Sequence, residues 1–160
     1  MTNRFAADKT LGTLAKWLRI LGYDTTYEAE NSGNLFFDSL EDNRILLTRT
    51  KKIQEKFSTR RSVFVRSNFL DEQLKQVVDE IGINRAEIQP FSRCIQCNLI
   101  IVEISKDNAY GRVPDYIWET QEAFNQCRQC ERIYWPGSHA ERSMEKIKLI
   151  FNSKSTNSTN

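Results

Sequence analysis

Four cysteines in two pairs provide the clearest chemistry in this sequence. Each pair is a Cys-x-x-Cys unit, and no other cysteine is present. Two residues between cysteines allow one tight turn to direct both thiolates at a single ion, and two such turns complete a tetrahedral structural zinc site. Two disulfides or a thioredoxin-like redox motif are the alternatives, and they suit two matched pairs without a secretory segment less well. The sequence therefore predicts Zn²⁺ bound by Cys94, Cys97, Cys127 and Cys130.

Carboxylates are the second group of candidate ligands. Asp8 follows a short apolar run and precedes a helical pattern, so it either caps that helix or contributes to a hydrolytic metal site. Such a site needs several carboxylates converging on Mg²⁺ or Mn²⁺. Asp24 and Asp38 are further candidates, whereas positions 50 and 68, at the ends of two later predicted strands, are neutral.

Basic residues are concentrated in one part of the chain. The net charge is only +2, but positions 44 to 61 hold seven basic residues and one acidic residue. A solvated helix face is the common explanation for such a run. A surface that faces phosphate groups is the competing one.

The elements that must position these side chains alternate along residues 4–84. Apolar runs at 4–7, 24–27, 44–48 and 62–66 predict strands, and helical periodicity at 11–21, 35–42, 51–57 and 70–81 predicts helices. This alternation indicates an α/β layer with a mostly parallel sheet. Ligand-binding groups gather at the carboxyl ends of such strands, which here are Asp8, Glu28, Thr48–Thr50 and Ser67–Asn68.

The chain is expected to contain two domains and a tail. Residues 1–88 form the predicted α/β domain, 89–150 a small zinc-binding module with a C-terminal helix, and 151–160 a disordered polar tail. No apolar run approaches the roughly 18 residues that would span a membrane. With no secretory hydrophobic segment at its start, we expect a cytoplasmic protein with no membrane partner.

Aromatic residues in the second half are open to two interpretations. Tyr134 and Trp135 lie beside Arg132, where they could stack on nucleic-acid bases or simply pack. Packing is the favoured interpretation for both. The only histidine, His139, is expected to pack or hydrogen-bond, since four cysteines already complete a zinc shell.

Several motifs together resemble one family. The opening Phe5-x-x-Asp8-x-x-Leu11-Gly12, continuing to Gly22-Tyr23-Asp24, is similar to the first signature of the Mut-seven C-terminal ribonuclease family, a branch of the PIN-like nucleases. The segment 44–49, the ribbon entry at 90–97 and the ending at 127–139 resemble its later motifs. The resemblance covers residues 4–145 in the right order.

This resemblance implies a PIN-like three-layer α/β domain followed by a zinc ribbon. It also implies metal-dependent cleavage of RNA, with strand-end carboxylates holding Mg²⁺ or Mn²⁺. Asp8 matches the family's first acid and Asp24 its acid after the glycine, and Asp38 is a candidate assistant.

The chain departs from the family pattern where Asn34, Thr50 and Asn68 stand at positions that are usually acidic. The alternative function is therefore a catalytically degenerate RNA-binding module. In that module, phosphates would be contacted by Arg49, Lys51, Lys52, Arg60 and Arg61. A protein-interaction adaptor that docks through the ribbon is a third possibility.

Overall fold

Four short parallel strands form a sheet in the first half of the chain. The structure is a computed structural model that describes residues 2–31 and 34–153. The strands are β1 (Phe5–Ala7), β2 (Thr25–Tyr27), β3 (Ile45–Thr48) and β4 (Ser62–Phe64), in the order β2-β1-β3-β4. Their register pairs Ala7 with Tyr27 on one side and with Leu47 on the other. The carboxyl ends of β2, β1 and β3 therefore lie side by side.

Three helices connect these strands, and a fourth follows the last strand. They are α1 (Gly12–Ile20), α2 (Leu35–Asp38), α3 (Lys51–Lys56) and α4 (Leu70–Ile81). Short 3₁₀ turns occupy Glu28–Glu30, Ser39–Asp42 and Arg85–Glu87.

The core of this part of the chain forms on the apolar faces of these elements. Buried Phe36 and Leu40 pack with Ala6 and Leu46 of the sheet, while α1 packs against α4. The central strands β1 and β3 are buried along their whole length, as expected for a parallel sheet covered by helices.

A second, smaller sheet forms in the other half of the chain. Its antiparallel strands are β5 (Val102–Ile104), β6 (Phe124–Gln126) and β7 (Ile133–Tyr134), in that order. Helices α5 (Lys106–Ala109), α6 (Asp115–Thr120) and α7 (Ser138–Asn152) accompany them. One hydrophobic cluster of this half, which we call its small core, contains Ala109, Val113, Ile117 and Phe124.

The chain divides into two compact units, one ending at Phe91 and the other starting at Ser92. We call them the α/β unit and the ribbon unit. The first confirms the predicted α/β fold with a parallel sheet. Helix α7 runs to Asn152, so it includes the first two residues of the predicted tail, and residues 154–160 of that tail lie outside the described residues. No described helix is long and apolar enough to cross a membrane.

Candidate functional site

Two turns of the same design present the four cysteines. After each pair the chain takes a left-handed conformation, at Asn98 (φ 64°) and at Glu131 (φ 63°). The N–H of each of these residues donates to the carbonyl of the first cysteine in its pair, at 2.9 Å in both turns. The backbone thus folds each Cys-x-x-Cys unit back on itself, which directs both sulfur atoms of a pair to one side.

The four sulfur atoms meet at one point. All of them lie within 4.8 Å of one another, and the Sγ atoms of Cys94 and Cys130 are 3.7 Å apart. A disulfide needs about 2.05 Å, so these are free thiols. A tetrahedron with Zn–S bonds of about 2.3 Å has an edge of about 3.8 Å, which this separation matches. The cluster is consistent with a zinc ribbon.

Hydrogen bonds to Cys94 favour the thiolate form of this cysteine. The Tyr134 hydroxyl accepts from the Ile95 N–H at 3.2 Å, which leaves its proton to donate to Cys94 Sγ, also at 3.2 Å. Burial opposes ionisation of Cys94, but the bonds from Tyr134 and from the N–H groups of Cys97 and Gln96 outweigh it and lower the pKa of Cys94 to about 7. Burial and the neighbouring thiols raise the pKa of Cys97 to about 12. A cation bound among the sulfur atoms would offset the repulsion between neighbouring thiolates and so favour their ionisation.

The Asp8 carboxylate, at the carboxyl end of β1, accepts four hydrogen bonds. It is fully buried. Its Oδ1 accepts from the Thr10 N–H at 2.8 Å and the Thr10 hydroxyl at 2.5 Å, and its Oδ2 accepts from the Thr48 hydroxyl at 2.6 Å and the Arg49 N–H at 3.1 Å. The carboxylate therefore joins the end of β1 to the end of β3.

Glu28, a strand-end residue expected from the sequence but not one of the candidate catalytic acids, lies beside this position in the sheet. It follows β2, and its Oε2 accepts from the Lys9 N–H at 2.7 Å. The signal that could have identified it is strand order, because β2 pairs directly with β1. Among the described residues, however, the only group of three or more His, Cys, Asp or Glu side chains with ligand atoms close together is the cysteine cluster. The residues around Asp8 therefore do not fit a multi-carboxylate Mg²⁺ or Mn²⁺ site.

Asp24 and Asp38 do not join Asp8. Asp24 precedes β2 and so lies at the amino edge of the sheet, where its carboxylate pairs with Arg44 at 2.7 and 3.2 Å. Asp38 is the last residue of α2 and is exposed. The strand direction places Asp24 at the edge opposite Asp8, and an ion pair with Arg44 holds it there, so the structure does not bring these candidate acids together.

The predicted RNA-contacting residues also divide between the two edges. Arg49, Lys51 and Lys52 follow β3 at the carboxyl edge, whereas Arg60 and Arg61 precede β4 at the amino edge. Arg60 donates to the Leu40 carbonyl. No carboxylate among the described residues lies within ion-pair distance of Lys51 or Lys52, and both are exposed.

The parallel sheet and the cysteine cluster define an α/β protein with a second unit that is consistent with a zinc ribbon. The model of the Mut7-C RNAse domain family matches residues 3–147, and the chain belongs to this family. The family resemblance expected from the motifs is thereby confirmed. No curated protein and no solved structure matches the chain.

Proposed function

We propose that this protein binds RNA at the carboxyl edge of its parallel sheet, as a member of its ribonuclease family that has lost the metal-dependent hydrolytic site. The observation on which this depends is the environment of Asp8. Its two oxygens already accept four hydrogen bonds, and the described neighbours supply no cluster of acids. A hydrogen bond to a charged group contributes about 1.5–3 kcal/mol, so releasing Asp8 to a metal would be costly.

The RNA-binding surface is the set of cations at this edge, which we call the basic edge: Lys9, Arg49, Lys51 and Lys52. Lys9 follows β1 and the other three follow β3, the neighbouring strand. Lys51 and Lys52 have no ion-pair partner among the described residues, so they are available to phosphate groups. Contacts of this kind give affinity that is largely independent of sequence and falls steeply with salt.

Fluorescence anisotropy with a labelled single-stranded RNA tests this surface. Each lost phosphate contact reduces the slope of log K against log salt by about 0.7 for a single strand. We expect the double variant Lys51→Gln/Lys52→Gln to weaken binding and to reduce the slope by about 1.4. Arg61→Gln, an exposed arginine at the opposite edge, is the matched control. Equal losses in both variants would reject the basic edge as the binding surface.

Metal-dependent cleavage of RNA is the second candidate function. It is favoured by Glu28, which adds a second carboxylate at the strand end next to Asp8. Incubation of labelled RNA with Mn²⁺ should separate the two proposals. Cleavage by the unmodified protein that is lost in both Asp8→Asn and Glu28→Gln would support hydrolysis, and binding without cleavage would support the first proposal. If the RNA is neither bound nor cleaved, the adaptor function remains.

We also propose that the cysteine cluster holds one structural Zn²⁺ per chain. The donor set and the 3.7 Å separation of Cys94 and Cys130 support zinc, and the ion would supply folding free energy to a unit with a small core. Elemental analysis should find one zinc, and Cys94→Ser should lose it.

The hydrogen bond from Tyr134 offers a milder test of the same zinc site. Removing a hydrogen-bond partner that orients a metal ligand typically lowers metal affinity 10- to 100-fold. Tyr134→Phe should therefore lose zinc to a chelator at a 10- to 100-fold lower chelator concentration. Tyr110→Phe, on an exposed tyrosine of the same unit, should leave zinc retention unchanged. Equal retention in both variants would contradict the role of Tyr134.

A further inference from the structure

A groove in the ribbon unit has a lining that zinc binding does not explain. Its volume is about 1160 Å³, and it lies between α6, β7, the second cysteine turn and the start of α7. Tyr116, Trp135, Arg112, Arg132 and His139 all line it. We call this cavity the ribbon groove.

Two aromatic side chains in the ribbon groove have surfaces available to a ligand. Tyr116 is 66% exposed on α6. Trp135 packs on one side against the small core, and a Cβ atom added to Gly137 would lie 3.2 Å from its Nε1 atom. The indole is thus held in place on that side, and it is half-buried. An aromatic side chain held in this way is suited to stacking on a planar ligand.

The ribbon groove is lined by two arginines, Arg112 and Arg132, and by one acid, Glu131. Neither Arg112 nor Arg132 has a carboxylate within 4.0 Å among the described residues. Arg112 donates a hydrogen bond to the Glu131 backbone carbonyl. Cys130 also lines the groove, and four thiolates around Zn²⁺ would carry a formal charge of −2. Together with Glu131, which also lines the groove, this charge exceeds that of the two arginines, so a phosphate would be held by direct contact with the guanidinium groups and not by the net charge of the groove. Planar arginine side chains are well suited to phosphate.

We propose that the ribbon groove binds an unpaired nucleotide of single-stranded RNA. The base stacks on Tyr116 or Trp135, and the adjoining phosphate is bound by Arg112 and Arg132. Proteins that bind single strands combine aromatic stacking surfaces with basic groups along the backbone in this way. The inference rests on the proposed RNA-binding function and adds a second contact point to it, in the ribbon unit.

Matched substitutions test the ribbon groove with a labelled 12-nucleotide single-stranded RNA. Base–aromatic stacking contributes about 1–3 kcal/mol per base, so Tyr116→Ala should weaken binding about 5- to 150-fold without changing the salt slope. Tyr110→Ala is the control, since Tyr110 is 68% exposed in the same unit and does not line the groove. Arg132→Gln should weaken binding and reduce the slope by about 0.7, whereas Arg142→Gln should do neither.

The possible outcomes separate this inference from the proposed function. If the lysine variants of the basic edge lose affinity and Tyr116→Ala does not, the ribbon-groove inference is overturned and the proposed function stands. If the unmodified protein binds no RNA, both are overturned. Cross-linking of 4-thiouridine RNA to the unmodified protein removes any dependence on folding of the variants. Cross-links at Tyr116 or Trp135 are expected, and cross-links confined to residues 2–91 would overturn the inference.

Discussion

Asp8 stabilises the sheet through the donors that surround its carboxylate. In Asp8→Asn the amide nitrogen would face an N–H or hydroxyl donor where an oxygen now accepts, and the negative charge would be lost. Hydrogen bonds to charged groups contribute about 1.5–3 kcal/mol, so we expect the free energy of unfolding to fall by about 2–4 kcal/mol. Urea denaturation of the α/β unit, followed by circular dichroism, measures this loss.

The control for this substitution is Asp38→Asn, because Asp38 is exposed at the end of α2. Exposed substitutions of this kind usually change stability by no more than about 0.5 kcal/mol. A stability of Asp8→Asn equal to that of the control would contradict the structural role and would make Asp8 available for chemistry again.

Tyr23 illustrates a buried polar group that reduces stability. Its ring packs edge-on against Phe5 with centroids 5.4 Å apart, and its hydroxyl has no hydrogen-bond partner among the described residues. Burial, together with the charge of Glu87, raises the pKa of Tyr23 to about 12. Because the pKa is higher in the folded state, the unfolded state ionises first, from pH 10, and stability falls progressively as the pH rises to 12.

Tyr23→Phe should therefore raise the free energy of unfolding by about 1 kcal/mol at pH 7, since it removes an unsatisfied hydroxyl. It should also remove the part of the alkaline destabilisation between pH 10 and 12 that Tyr23 causes. Denaturant titrations at pH 7, 10 and 11.5 test both effects. If the variant is less stable than the parent at pH 7, the hydroxyl has a partner and this explanation is wrong.

At the scale of elements, the close approach of α1 to β2 depends on one glycine. A Cβ atom at Gly12 would lie 2.7 Å from the hydroxyl oxygen of Tyr27 and 2.9 Å from its Cζ atom. Alanine normally stabilises a helix interior relative to glycine by about 1 kcal/mol. Here we expect Gly12→Ala to destabilise by about 1–3 kcal/mol, because the Tyr27 ring, whose hydroxyl donates to the Lys9 carbonyl, must move.

Thermal unfolding measures this effect, with Thr13→Ala, at the exposed neighbouring helical position, as the control. In the double variant Gly12→Ala/Tyr27→Ala the clash is removed, so its stability loss should be smaller than the sum of the two single losses. Additive losses would show that the helix and the Tyr27 ring are not coupled.

The elements with strong periodicity were predicted well from the sequence. The predicted helix at 70–81 matches α4, and all four strands of the parallel sheet were located to within two residues at each end. The predicted helix at 35–42 instead breaks into α2 and the 3₁₀ turn Ser39–Asp42, which is followed by Asn43 with φ of 62°. Helices α5, of four residues, and α6, of six residues, were not predicted from the sequence.

The candidate site was predicted only in part, because most of its residues are distant in sequence and come together only in the folded chain. Each Cys-x-x-Cys pair is local in sequence, so spacing alone indicated the turns that present the ligands. Asp24 and Arg61 are near the candidate site in sequence, but each precedes its strand and lies at the other edge of the sheet. The ribbon groove is built from segments around residues 112, 116, 132 and 135, and no local pattern in the sequence indicates that they meet.

At the scale of the whole molecule, the two units should respond differently to removal of metal. The ribbon unit has small hydrophobic clusters, one of them around the cysteines themselves, so much of its stability is expected to come from the proposed zinc. The α/β unit has its own core, formed around the central strands β1 and β3. We expect a chelator that removes zinc to unfold the ribbon unit and to leave the parallel sheet folded.

Hydrogen exchange detected by mass spectrometry distinguishes the two units on the intact chain. After chelation, peptides from β5, β6 and β7 should lose protection, and peptides from β1 and β3 should keep it. Restoring Zn²⁺ should restore protection to the ribbon unit, whereas Mg²⁺ should not, because thiolate ligands favour zinc over hard cations. Retained protection of β6 in the metal-free protein would show that its strands are stable without the ion, and the cysteines would then need a role other than holding a structural metal.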